Sequence, residues 1–271
     1  MQLQLMNKNL ILNTIQKEYR NKGIITLFIF TIMFILAGYG LALAAKEFVI
    51  ESNLDSFISN TSQGIILNFV AFATNIVTII ISISSVKSDL QSGLINQLLT
   101  LPLSRFSYLI SRIFGSWLLS LTFYIVSSVF GILLLLMSGN VNFDFLSYLL
   151  SIVFMALQIL GMTVMGIVFS LYINKIGSFL FTMFFFVFSK VAYHSITYEG
   201  LSFDNFGIFK VLKYFVHFLT PRVGELAHVS TMVIDGSELP LKEISFTTIH
   251  FLSLTVVWIF ISKLIFEKRE F

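Results

Sequence analysis

Six apolar runs, at about 24–45, 64–86, 108–137, 147–173, 176–198 and 246–266, dictate the solvent this chain folds in. A helix needs about 20 residues to cross a bilayer, and each run is long enough. With 56% apolar and only 11% charged residues, a soluble fold would have too little polar surface to cover itself. In lipid every backbone polar group must be satisfied internally, so the runs are expected as helices and the fold class as all-α with six transmembrane helices. The third and fourth runs exceed the minimum and are expected to tilt or project. The first run ends in Ala42-Leu43-Ala44-Ala45, which is similar to a signal-peptidase site. Its apolar stretch is longer than the roughly 7–15 residues of a signal sequence, so it is read as a retained span. The chain has no Cys, which excludes disulfides and Cys-ligated metals.

Charge sets the orientation. With the N-terminus inside, the inner segments carry eleven cations (Lys8, Lys17, Arg20, Lys22, Lys87, Arg105, Arg112, Lys175, Lys263, Lys268, Arg269) against four acids. The outer segments carry five cations against ten acids. Both termini are therefore expected in the cytoplasm. Before the first run, Leu3, Met6, Leu10, Ile11 and Ile15 follow helical spacing among cations, predicting an amphipathic helix in the cytoplasmic interface. The loop at about 199–245 contains the apolar stretches 209–219 and 223–234, expected as short helices on the outer surface. It is too small for an independent core, and no repeat or linker divides the chain, so residues 1–271 are read as one membrane domain.

A short polar segment interrupts the second and third runs. Ser88 is placed to cap a helix over about 89–100, and Pro102 to end it. Leu90, Leu94, Ile95, Leu98 and Leu99 make one apolar side; Asp89, Gln91, Ser92, Asn96 and Gln97 lie mostly opposite. Such a helix buries one stripe and offers the other to a partner. No Gly-rich phosphate loop ending in Gly-Lys-Ser/Thr occurs, so any ATP-driven role needs a separate ATPase chain.

Asp89 stands four residues before Gly93; Leu99-Thr100-Leu101-Pro102-Leu103-Ser104-Arg105 follows, then Ser111-Arg112 and Gly115. This resembles the coupling region of permease subunits of type-2 ABC transporters, mostly bacterial exporters. There an acid four residues before a Gly precedes a leucine-rich stretch, Leu-Ser-x-Pro-x-Ser-Arg and then Gly-Lys. The departures here are Asp for Glu, Leu94 for Thr, Thr100 for Ser, and Ser111-Arg112 for Gly-Lys. The charged ending Phe266-Glu267-Lys268-Arg269-Glu270-Phe271, the N-terminal helix and the large last loop fit the same plan.

The resemblance implies a non-catalytic subunit in the bacterial inner membrane, pairing with a second permease copy and coupled to an ABC ATPase that holds the ATP and Mg. The segment 88–100 becomes a coupling helix, with Asp89, Gln91, Gly93, Asn96, Gln97, Pro102 and Arg105 as its candidate ATPase-coupling residues. Arg105 and Arg112 are each placed to meet lipid headgroups, Asp89 or the ATPase. The cargo is not legible, and mechanical work on an external partner through the last loop is a further reading.

Within the runs, Asn68, Asn75 and Ser82 recur every seven residues, a polar stripe that either lines a pathway or glues helices together. Lys190 is the charge inside a run, facing either a cavity or the outer headgroups. Glu225 and His228, at i, i+3, are a weak metal pair beside His217, and no metal is expected. A gradient-driven carrier would be expected to place acids or broken helices near mid-membrane, and no Asp or Glu falls in the six runs. No convergent catalytic set stands out at one depth.

Overall fold

The computed structural model describes the backbone of residues 7–20, 22–50, 55–95, 104–137, 144–199, 207–234 and 241–268. Among these, nine helices follow one another: α1 (Lys8–Arg20), α2 (Lys22–Ile50), α3 (Asp55–Gln91), α4 (Arg105–Met137), α5 (Phe145–Tyr172), α6 (Lys175–Glu199), α7 (Ile208–Leu219), α8 (Val223–Ile234) and α9 (Leu241–Glu267). Six of them, α2 to α6 and α9, are long and apolar enough to cross a membrane, over 25–44, 64–91, 105–137, 145–172, 175–196 and 244–267. The six expected runs all form spans, with ends moved by a few residues.

The spans alternate in direction. One end of the bundle carries α1, Arg105, Tyr172, Lys175 and Glu267; the opposite end carries Met137, Phe145, Ile196 and Ile244. We call these the near and far ends. Helix α5 is the axis, touching α3, α4, α6, α8 and α9. Of its most apolar window 61% is buried, against 22% for α2 and for α9, which therefore stand at the periphery. Burial of apolar surface does not hold helices together in lipid, so close approach at small residues matters. Ser82 of α3 seats against Gly166 of α5, and Gly224 of α8 lies against the backbone of Ser189 and Lys190 of α6.

Helices α7 and α8 are present as the sequence predicts, but they are not laid on an outer surface. Each has 12 residues, about 18 Å at 1.5 Å per residue, roughly half a membrane. They form a hairpin that enters the bundle from the far end. Near its mouth, Ser230 of α8 hydrogen-bonds Ser151 of α5 at 2.7 Å. At its apex, Val223 joins Ile79, Ile83, Met162, Phe186, Leu226 and Phe251 in a mid-bundle core. Trp258 of α9 donates to the Leu219 carbonyl at 3.0 Å. Pro221 sits at the turn, where it stops α7 from continuing. The physical reason for embedding is pairing: small residues of α8 and polar groups at the apex find partners on α5, α6 and α9.

Candidate functional site

The near end is organised by α1 and the end of α3. Helix α3 does not stop at residue 86 but runs on to Gln91, because Val86 and Asp89 are both buried. The helix expected to start at Ser88 therefore does not start there. The Ser88 hydroxyl bonds back to the Ser84 carbonyl within α3 instead of capping a new helix. Termination falls to Gly93, whose φ of 68° is the left-handed conformation that ends helices and suits glycine. Gln91, Ser92 and Gly93 form an exposed tip, and the chain turns helical again at Leu94 and Ile95. Leu94 stays exposed while Ile95 drops into the near-end core beside Leu10, Val86 and Tyr108. Asn96, Gln97 and Pro102 lie outside the described residues.

Asp89 was expected on a polar face open to a partner; the structure turns it inward, leaving it 1% exposed. Its Oδ1 accepts from Lys17 Nζ at 2.6 Å, and its Oδ2 accepts from Tyr108 Oη at 2.7 Å and from Arg112 Nη2. Arg112, equally buried, also donates to Thr14 Oγ1 at 2.7 Å and lies over the Tyr108 ring. Tyr108 stacks on Phe266 of α9, with ring centroids 5.6 Å apart. One carboxylate thus ties α1, α3 and α4 directly and reaches α9 through a ring. A buried charge is tolerated only when paired and hydrogen-bonded, and Asp89 has three donors.

Two further cations of this end close helix termini. Lys87 donates to the carbonyls of Ser170 and Ile173, at 3.1 and 2.7 Å, where α5 ends. Arg105 donates to the carbonyls of Phe266 and Glu267, at 3.3 and 2.8 Å, where α9 ends. Cations at helix C-termini satisfy orphan carbonyls and complement the dipole. Ser104 caps α4 by accepting from the Ser107 amide at 3.0 Å.

Helix α1 forms where the sequence places an amphipathic helix, at the near end, and its buried stripe is Leu10, Thr14 and Glu18, at i, i+4, i+8, against the end of α4. Thr14 packs on Gly115 of α4, and the Asn7 amide donates to Ser111 Oγ at 2.9 Å. Burial pushes the Glu18 carboxyl above its usual range; a hydrogen bond from Ser84 and the charges of Lys17 and Arg112 pull it partly back, and Asp89 adds to the rise. Sequence reasoning missed Lys17, Glu18, Thr14 and Tyr108 as members of this cluster. The available signal was the i, i+4 repeat of Leu10, Thr14 and Glu18.

The polar stripe of α3 does not act as a unit. Asn68 is exposed and bonds its own helix at the Gly64 carbonyl, 2.8 Å away. Asn75 is buried and accepts from Gln158 of α5 at 3.1 Å; Ser82 is buried at the contact with Gly166. The last two join helices. Lys190 is partly buried, its Nζ 5.2 Å from the centre of the Phe186 ring. Glu225, counted from sequence as lying outside the spans, is buried within the bundle's far half, where it pairs with Arg222 at 3.3 Å and accepts from Thr247. Among the described residues no group of three or more His, Asp or Glu converges as a metal site.

The profile of ABC-2 family transporter proteins matches residues 10–191, from α1 through most of α6. No curated protein matches the chain. The match takes in the Asp89 cluster and five of the six spans. Members of this family are generally non-catalytic membrane subunits that work with an ABC ATPase. With that match over more than half its length, the chain belongs to the ABC-2 transporter family, as the membrane permease of an ABC transporter.

Proposed function

We propose that this chain, one membrane domain over 1–271, exports a cargo by motion received at its near end from a separate ABC ATPase. In this reading the near end faces the bacterial cytoplasm, both termini included. The ATPase, carrying ATP and Mg, docks on the stretch from Gln91 to Leu103. A second permease copy completes the complex.

The observation that carries the reading is the build of that stretch. It emerges at an exposed tip after Gly93, yet its roots at Asp89 and Arg105 are pinned to other helices. Asp89 and Arg105 are here positioning residues that hold the segment. Gln91, Asn96 and Gln97 are the docking contacts, with Gly93 setting the turn that ends α3. Domain closure of this kind moves rigid elements about a few termini.

The chain has no Cys, so Gln97→Cys supplies a unique label. An impermeant maleimide should modify it only in opened cells; modification of intact cells would reverse the orientation and end the proposal. The triple variant Gln91→Ala, Asn96→Ala, Gln97→Ala, co-purified with the ATPase, should fold normally and lose cargo-coupled ATP hydrolysis. Unchanged assembly and coupling would reject the docking assignment.

A gradient-driven carrier is favoured by one observation, the buried Glu225 beside a helical hairpin that reaches mid-bundle. Family membership weighs against it. Loss of transport with ATPase-dead partner chains separates the two.

A further inference from the structure

Between α6, the α7–α8 hairpin and α9 lies a cavity of about 720 Å³, lined by Tyr193, Ile196, His217, Arg222, Glu225, Lys242, Phe246 and Ile249. That volume falls in the range of small-molecule sites. It opens sideways, since Phe246 and Ile249 are 59% and 67% exposed on a span whose outward face meets lipid. Arg222 forms part of the wall near the apex of the hairpin and is 7% exposed. It makes a single 3.3 Å contact to Glu225 Oε2 and lies over the Phe246 ring, while its Nε finds no acceptor. A guanidinium offers five donors in a planar fork, and this one leaves a buried donor unused. The α8 N-terminus competes little for an anion, because its Gly224 amide already donates to Ser189 Oγ and its Val223 amide to the Pro221 carbonyl. Lys242, exposed at the rim, gives the site, among the described lining residues, two cations against the acid Glu225.

We propose that this cavity binds the anionic head of a membrane amphiphile, a phosphate or carboxylate on an aliphatic chain, entering from the far leaflet. Arg222 holds the anionic head, Lys242 meets it at the rim, and the chain lies on Tyr193, Ile196 and Ile249. The exposed apolar Phe246 and Ile249 beside the cavity favour a ligand with a hydrocarbon chain over a free anion. The site stands apart from the near end and needs no ATPase.

The test uses the full chain in neutral maltoside micelles, titrated with dodecyl phosphate, inorganic phosphate or dodecanol. Dodecyl phosphate should bind and raise the unfolding temperature; the other two should bind at least tenfold more weakly. Arg222→Gln should weaken dodecyl phosphate about tenfold, as expected for loss of a charge-assisted hydrogen bond. Should that variant fail to fold, Lys242→Glu, at an exposed position, should weaken binding several-fold and leave the ligand-free protein intact. Inorganic phosphate binding as tightly would make this a free-anion site and overturn the lipid assignment. Dodecanol binding as tightly, or both variants binding like wild type, would overturn the anionic one.

Discussion

The two ends of the bundle each bury an acid against an arginine, and they treat it oppositely. At the near end Asp89 receives Lys17, Tyr108 and Arg112, and Arg112 goes on to Thr14. At the far end Glu225 meets Arg222 at a single 3.3 Å contact, supplemented by Thr247, and Arg222 keeps an unpartnered nitrogen. Both acids are desolvated, so the number of donors decides which arrangement is complete. The first joins helices that are distant in sequence and gives its acid three donors, although the Arg112 Nε, like that of Arg222, has no partner. The second is local, three residues apart on one turn, and retains capacity for another molecule. A carboxylate held by three donors from other helices fixes geometry; one held more sparsely beside a cavity has recognition left to perform.

The largest test of this contrast is to remove each carboxylate in turn. Asp89→Ala strands Arg112 and should cost about 3–5 kcal/mol of stability. Glu225→Gln keeps a hydrogen-bonding amide and should cost about 1–3 kcal/mol. Thermal unfolding of the purified chain measures both, with hydrogen exchange in α1 rising only for the Asp89 variant. Equal losses, or an undisturbed α1, would erase the distinction.

A middle-sized effect is expected where the near end stops being rigid. Gly93→Ala meets no steric neighbour within 4 Å, so its cost is backbone strain alone, roughly 1–2 kcal/mol. Gly93→Asn, more tolerant of positive φ, should recover part of it in the same melts. If alanine costs nothing, the turn is not what ends α3.

The smallest effect sharpens the role of Glu18. Its folded carboxyl is raised above 4.5, so the protonated form is the one the buried site prefers. Its contribution is therefore present below pH 4.5 and lost as pH rises through the folded value. The groups around it are Lys17, Arg112, Asp89 and Ser84. Glu18→Gln should match wild type in acid and become the more stable of the two toward neutrality. Melting curves against pH check this; parallel curves would show that the carboxyl does not titrate on unfolding.

Span positions were legible because length and apolarity suffice for them. The Asp89–Gly93 spacing was legible too, but sequence could not say which way Asp89 points. A helix that could start at Ser88 and a helix that continues through it differ only in what Val86 and Asp89 pack against, and that is tertiary. The same holds for α1, where Leu3, Met6 and Ile15 advertised an interfacial stripe while Thr14 and Glu18 found partners on α4 and α3. Helices α7 and α8 fall short of a span, so apolarity alone cannot tell a surface helix from one dipping into the bundle. Arg222 and Glu225 went unnoticed together because a loop reading leaves charges in water.

The roots of the segment between Gln91 and Arg105 have a mechanical corollary. On one side Lys87 grips the end of α5 and Asp89 grips α1 and α4; on the other Arg105 grips the end of α9. A handle riveted at both attachments to four neighbours cannot be pulled without dragging them. Force reaching those roots would spread across most of the bundle's cross-section instead of bending a single helix.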